Sequence, residues 1–344
     1  MRCVVVGAGV VGLAIARELH GRGLDVVVLE RTGIGAGASG VQPGGVRQQW
    51  GTRVACRLAA ESVAFWREAA ERLESRVPLV LRRGGYLFVA HSARTVEQLA
   101  ANVRLQNEEG IPSRIVSPDE AATLVPDLRG EAIAGGAWCG EDGYFDRPQA
   151  VVEAFAAGLD VRRDEVASLS MLDADAIVVA AGAETRALVA PLGVDLPVVP
   201  EERHLFYSGP IHERLLEPLV VAPELAFAAK QLADGRVLAA DLRGDSRATI
   251  RDGVGRLLPR LAYVSLALRV TGAYDVTPDH QPVLGEVADG VFVACGFSGH
   301  GFMIAPAVAR ITADAVLGRR DEILDVLGVE RFARGRLVPE SQLV

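Results

Sequence analysis

Apolar residues crowd positions 3–6 (CVVV), a cluster of glycines interrupts them, and apolar residues return with helical spacing up to Leu19. An unbroken apolar run with glycine directly after it predicts a strand buried on both faces. The segment Leu13–Leu19 predicts a helix ended by Gly21 and Gly23, and Val26–Glu30 predicts the next strand. Strand, glycine turn, helix and strand in about thirty residues make one βαβ unit.

Downstream the period changes repeatedly. Val54, Leu58, Ser62, Phe65, Trp66, Ala69 and Leu73 fall on one side of a helix predicted over 53–74. Residues 78–90 predict a short hairpin turning at Gly84-Gly85, and 94–109 predict another helix. Ser117-Pro118-Asp119-Glu120 marks a helix start, with a serine cap, proline first and glutamate three after the cap. Asp175–Ala181 predicts a buried strand closed by Gly182. Strand-like segments then dominate at 196–207, 225–230, 236–241 and 261–270, which predicts an antiparallel layer. A polar connection at 279–290 leads to a strand at 291–295, a loop at 296–301 and an apolar helix at 302–317 ended by Gly318.

The fold class expected from this pattern is α/β, with α+β character overall. A Rossmann-type nucleotide-binding domain is assembled from 1–77, 132–195 and 275–325, and an antiparallel-sheet substrate domain from 78–131 and 196–274 is inserted into it. Residues 326–344 are expected to be a weakly structured tail. A length of 344 residues suits two domains, and 50% hydrophobic with 23% charged residues suits a packed core. The net charge of -8 argues against a nucleic-acid footprint. Cys3, Cys56, Cys139 and Cys295 form no CxxC pair, so no metal site is expected and all four read as small buried hydrophobes. No 18-residue apolar run and no convincing cleavage site appear, so no membrane span is expected and the cytoplasm is the expected location. Arginine supplies nearly all the basic charge; Lys230 is the single lysine, expected at the surface.

Gly7-x-Gly9-x-x-Gly12 sits between the first strand and the helix. There the first glycine permits a tight turn, the second a close approach to a pyrophosphate, and the third close helix packing. The helix N-terminal amides, from Val10 and Val11, face the diphosphate. Glu30 ends the second strand 18 residues after Gly12, placed to accept the ribose hydroxyls of an adenosine, and Glu30-Arg31 suits a 2′-hydroxyl. Two further loops favour FAD over NAD: the small-residue segment Gly35–Gly45 with Ser39, and Gly296-Phe297-Ser298-Gly299-His300-Gly301 before a helix. The latter's amides suit the flavin pyrimidine edge, where negative charge develops on reduction.

At these residues the chain resembles the FAD-dependent D-amino acid oxidase superfamily, in the branch of glycine oxidase, sarcosine oxidase, dimethylglycine oxidase and the β subunits of heterotetrameric sarcosine oxidase or L-proline dehydrogenase. The resemblance lies in VVVGAGVVGLAIARELHGRG…VVVLER at 4–31, GASGVQPGGVR at 37–47, AIVVAAGAETRAL at 176–188 and TPDHQPVLGEVADGVFVACGFSGHGFMIAPAVAR at 277–310. It implies FAD, a large antiparallel substrate sheet and hydride transfer to flavin N5 from the carbon beside a neutral amine. It places Ser39, Gly40, Gly45 and Arg47 along the flavin; Gly299, His300, Gly301, Phe302 and Met303 at its pyrimidine end; Val166 at adenine; and Ala181-Gly182 beside the diphosphate.

Four departures accompany the resemblance. Gly272-Ala273-Tyr274 stands where monomeric sarcosine oxidase carries its flavin-tethering cysteine, so noncovalent FAD is expected. Met303 replaces that enzyme's carboxylate-binding lysine. Arg269 is offset from the arginine that glycine oxidase uses. Residues 158–175 are short for the family's three-stranded meander. Tyr274, His300, Arg47 and Met303 are the candidate catalytic residues, with Tyr274 either donating to a substrate carboxylate or walling the cavity, and His300 alternatively bracing its loop. Lysines over the flavin promote oxygen reduction in related oxidases, which singles out Lys230. The expected partner is a small amine or amino acid, with self-association or a heteromeric complex open. A partner-dependent flavoprotein subunit and an NAD-dependent dehydrogenase are the competing functions.

Overall fold

The computed structural model describes residues 1–244 and 246–342. Among the described residues seventeen strands, numbered along the chain, form three sheets. The first runs in the order β16 (Val283–Ala288), β17 (Val291–Cys295), β10 (Ala176–Val179), β1 (Arg2–Val6), β2 (Asp25–Glu30) and β9 (Asp160–Arg163). All its pairings are parallel except β16 with β17. Alternate residues of β1 face opposite layers. Cys3 and Val5 pack under the helices Val10–Gly21 and Gly301–Val316, while Val4 and Val6 join Val27, Leu29, Val179 and Val293 on the other side. Burial on both faces is why these strands read as unbroken apolar runs.

The second sheet runs β15 (Leu268–Val276), β11 (Val199–Pro210), β14 (Arg236–Asp241), β13 (Phe227–Gln231), β12 (Leu219–Ala222), β5 (Tyr86–Ala90), β7 (Gly135–Cys139) and β6 (Arg114–Val116). It is antiparallel apart from the β12–β5 pair. A small third sheet joins β3 (Gly45–Val46), β8 (Gly143–Phe145) and β4 (Leu81–Arg82). The α/β class with a Rossmann-type sheet and a large antiparallel sheet is therefore present.

Several expectations need correction. The segment 78–90 is no hairpin: β4 pairs with β8, whereas β5 pairs with β7 and β12. Gly84 and Gly85 carry the chain between two sheets, where a Cβ would fall 2.5 Å from the Glu217 carbonyl or from Trp138 Nε1. Residues 135–139, grouped with the nucleotide-binding segments above, are a strand of the eight-stranded sheet. The helix at 53–74 breaks at Glu68, the strand expected at 261–270 lies at 268–276, and the polar connection contains β16. Residues 247–257 form a helix that no strand pattern foretold, capped by Ser246. Residues 158–175 hold only β9 and a single helical turn at 169–171, so the meander is absent.

The expected tail is not loose either. Residues Glu322–Leu327 and Glu330–Ala333 are helical, and Arg331, Glu340 and Gln342 are buried. Positions 343 and 344 lie outside the described residues. A charged side chain is an unpromising core residue in sequence, but Arg331 finds Asp279 at 2.9 Å and so docks the segment. Among the described residues no helix is long and apolar enough to cross a membrane, and no group of three metal-ligating side chains occurs.

Candidate active site

Strand β1 ends at Gly7, whose φ of +109° suits only glycine and whose Cβ would lie 2.5 Å from the Ala180 carbonyl oxygen. A Cβ on Gly12 would lie 2.1 Å from the Gly7 carbonyl oxygen, so the helix seats directly on the turn. Ser39 Oγ accepts the Val10 N–H at 2.9 Å and stands 3.2 Å from the Cβ position of Gly9. Gly40 lets the loop close on the Gly35 carbonyl, 2.4 Å from its Cβ position.

Glu30 is held from two sides. Its Oε2 accepts the Ala8 N–H at 2.9 Å, and its Oε1 accepts the Thr32 N–H and Oγ–H at 2.8 and 2.7 Å. Burial pushes this carboxyl up, but the hydrogen bonds from Ala8, Thr32 and Gly33 outweigh it and hold the group below the usual range. Glu30 is thus a fixed anion beside the glycine turn. Arg31 reaches the other way to pair with exposed Glu184. Ala181 donates to Thr185 Oγ1 at 3.1 Å, and Gly182 adopts φ +58° just past β10. Val166 packs half-buried against the Val4, Val27 and Leu29 face. The structure brings these residues together where the parallel strands end, the side of such sheets that receives ligands.

The second glycine loop arrives at the same place. A Cβ on Gly301 would lie 3.4 Å from Val11 Cγ2 and 3.1 Å from the Phe297 ring, so two helix N-termini adjoin. Gly299, at φ +91°, lies against Tyr274, whose ring would be 2.3 Å from a Cβ there. Asp275 anchors the loop: its carboxylate accepts the Gly296 N–H at 2.7 Å and its carbonyl the Ser298 N–H at 2.9 Å. Phe302 stacks on Trp66 at 5.1 Å, and Trp66 Nε1 donates to the Met303 carbonyl at 2.8 Å.

Gly45 closes the ring of groups. Its Cβ position is 2.1 Å from the Tyr86 hydroxyl and 3.9 Å from Met303 Cε. Arg47 is fully buried, its guanidinium carbon 3.7 Å above the Trp50 ring, and Trp50 meets His300 edge-on at 4.6 Å. Arg47 donates to the backbone carbonyls of Gln49 and Gln342, the latter at 2.7 Å, and its Nε has no partner. Among the described residues no carboxylate stands within ion-pair distance of it. His300 is driven well below its ordinary value by burial, then by Arg47 and His280, against a hydrogen bond with the Phe297 backbone. It is neutral, and its Nε2 is buried without a partner.

Sequence reasoning passed over Tyr86, Trp50, Asp142 and Asp275, because their neighbours come from distant segments and no short motif contains them. Lys230 is corrected: it is buried and not at the surface, donating to the Pro43 carbonyl with its ammonium 3.9 Å above the Tyr144 ring. Burial pulls it down to about 7. A strand-like run around a lone lysine cannot reveal that both faces of the strand are covered, as they are for Phe227–Gln231.

Two buried carboxyls give a pH prediction. Burial, against hydrogen bonds, pushes Asp142 and Asp275 up to about 6. Between pH of about 4 and 6 the folded chain keeps protons that the unfolded chain releases. Their contribution to stability is therefore present below pH of about 4 and is lost as pH rises through about 6. In urea unfolding at pH 4.5, 5.5 and 7, Asp142→Asn and Asp275→Asn should each flatten this trend relative to the parent. Parallel curves for parent and variants would reject it.

The geometry suits a long anionic dinucleotide: tightly packed glycines at 7, 12, 40, 45 and 299, two adjoining helix N-termini, and unpartnered nitrogens on Arg47 and His300 at the far end. A family model described as "DAO: FAD dependent oxidoreductase" matches residues 2–315. The fold superimposes on L-proline dehydrogenase from P. horikoshii with a TM-score of 0.90 and 26% identity, covering 98% of this chain and 99% of that one. Glycine oxidase of Geobacillus kaustophilus is 28% identical over 91% of this chain and 92% of its own length. 4-Methylaminobutanoate oxidase (formaldehyde-forming) of Paenarthrobacter nicotinovorans is 25% identical over 97% of this chain, which spans only 46% of that protein. With that match running from the first strand through the helix behind the second glycine loop, the chain belongs to the FAD dependent oxidoreductase (DAO) family.

Proposed function

We propose that this protein uses noncovalently held FAD to oxidise the CH–NH bond of a small amino acid or secondary amine to an imine, which water then hydrolyses. The observation that carries this reading is the meeting of the Gly7–Gly12 and Gly296–Gly301 turns at one end of the parallel sheet. In it, residues 1–77, 275–325 and the 132–195 segment without β7 form the FAD-binding domain, and the eight-stranded sheet forms the substrate domain. Gly7, Gly9, Val10, Val11, Gly12, Ser39 and Gly40 hold the diphosphate, with Ala181 and Gly182 beside it. Glu30 serves the adenosine ribose, with Arg31 next to it turned to Glu184, and Val166 serves the adenine. Gly45, Gly299, His300, Gly301, Phe302 and Met303 serve the flavin ring.

Bound FAD supplies the two-electron sink for a hydride equivalent from the substrate carbon. The rest is the work of this chain. Arg47 and Tyr274 face the substrate carboxylate. Because Arg47 is a buried cation, a second positive charge close by is disfavoured, which favours the neutral amine that oxidation requires. The free Nε2 of neutral His300 accepts from the amine N–H. Support for noncovalent attachment comes from the four cysteines, all buried, with burial pushing Cys3 and Cys56 up to about 12 and Cys139 and Cys295 higher still.

The test is optical. The purified protein should show flavin bands at about 370 and 450 nm, and acid precipitation should release the flavin as free FAD. Glycine, sarcosine, L-proline and simple secondary amines are then added without oxygen, and bleaching of the upper band identifies the substrate. A chain that takes up no FAD ends the reading. A flavoprotein that no amine bleaches favours the partner-dependent subunit, a reading that Met303 in the place of a carboxylate-binding lysine keeps in view.

A further inference from the structure

The segment Val338–Gln342 lies far from the glycine loops in sequence, yet it contacts the arginine at their centre. Arg47 Nη2 donates to the Gln342 carbonyl at 2.7 Å. Arg47 is otherwise held by the Gln49 carbonyl and the faces of Trp50 and Phe88. Two backbone carbonyls and aromatic faces fix its direction while leaving its charge unpaired, which is what an incoming carboxylate requires.

The carbonyl of Gln342 is itself fixed by a built set of contacts. Glu340 is buried, and its Oε1 accepts the Gly51 N–H at 2.7 Å and the Gln342 N–H at 2.8 Å, while Oε2 accepts from Thr52 Oγ1 at 3.0 Å. The Glu340 N–H donates to the Asp279 carbonyl at 3.0 Å, and the Val338 N–H to Asp279 Oδ2 at 3.2 Å. Gln342 Oε1 accepts from Asn102 Nδ2 at 2.9 Å and Gln106 Nε2 at 3.2 Å. The segment lies directly on Gly51, where a Cβ would be 2.1 Å from Ser341 Oγ and 2.8 Å from Glu340 Oε1.

We propose that Glu340 and Gln342 are positioning residues of the substrate site, holding the Gln342 carbonyl so that it aims the Arg47 guanidinium at a substrate carboxylate. This rests on the reading of Arg47 as the carboxylate-holding group. Neither residue touches substrate. Glu340 positions the Gln342 carbonyl through its hydrogen bonds, and its charge also favours the Arg47 cation, so Glu340→Gln, which keeps the first and removes the second, separates the two effects.

Acetate, a carboxylate with no amine to oxidise, is titrated into the FAD-loaded protein and followed by the change in flavin absorption. Glu340→Ala should weaken acetate binding by about ten-fold or more, the order expected for misplacing one charge-assisted contact. Glu340→Gln, whose amide oxygen still accepts from Gly51 and Gln342 while its NH2 donates to the Thr52 hydroxyl, should bind acetate no more than about two-fold more weakly than the parent. Where Glu340→Ala does not fold, Gln342→Ala removes only the bonds to Asn102 and Gln106, and the same direction of change is expected. Arg47→Lys is the reference. Parent and Arg47→Lys binding acetate alike would end the reading of Arg47 itself. Arg47→Lys weakening acetate while Glu340→Ala and Gln342→Ala leave it unchanged would overturn only the present proposal, as would equal losses in Glu340→Gln and Glu340→Ala.

Discussion

Gly12→Ala is expected to give a folded protein that retains little or no FAD. The added Cβ would sit 2.1 Å from the Gly7 carbonyl oxygen, a backbone atom that cannot swing aside. The helix must therefore back away from the turn, carrying its N-terminal amides with it. Overpacking of this kind costs about 1–3 kcal/mol, and the upper end corresponds to roughly a hundred-fold loss in cofactor affinity. Gly21→Ala is the matched control. It ends the same helix, but a Cβ there meets nothing within 4 Å. Absorption at the flavin band after gel filtration measures both, and Gly12→Ala with full flavin content would show that close helix seating does not matter.

The second large effect is expected away from the glycines. Arg331 and Asp279 form an ion pair that is almost wholly buried, with Arg331 also donating to the carbonyls of Leu327 and Gln281. Breaking a buried pair from one side leaves a desolvated charge, at a cost of about 3–5 kcal/mol. Arg331→Leu should therefore lower the urea midpoint strongly, and adding Asp279→Leu should restore much of the loss. Burial pushes the Asp279 carboxyl up, but Arg331 and the Val338 and Gln281 amides outweigh it and hold it below the usual range. Its contribution is present above the unfolded value of about 3.9 and is lost as pH falls through the lower folded value. That acid-side loss should vanish in the double variant. An unchanged midpoint in Arg331→Leu would mean that the pair does not hold the 322–342 segment in place.

These two sites differ in how visible they are beforehand. The Gly7–Gly12 turn, the flanking elements and Glu30 stand within thirty residues, and helix and strand periods frame them. The serine caps at Ser117 and the extent of the helix at 93–108 are similarly local. The hairpin expected at 78–90 failed because Gly84-Gly85 satisfies a turn pattern whether the flanking strands pair with each other or with distant partners. The tail failed because Arg331, Glu340 and Gln342 are polar, and polar residues enter a core only when partners elsewhere in the chain satisfy them.

By itself, the amino-acid order determined the βαβ unit, its glycine turn and the presence of a mainly parallel and a mainly antiparallel sheet, since each rests on spacing within a single element. Only the tertiary structure decided that Trp50, Tyr86, His300 and Gln342 converge on Arg47, that Lys230 is buried, and that Asp275 ties down the second loop. Those facts depend on contacts between segments up to 295 positions apart, as for Arg47 and Gln342. Periodicity reports which face of an element is covered, and it carries no information about which distant residue covers it.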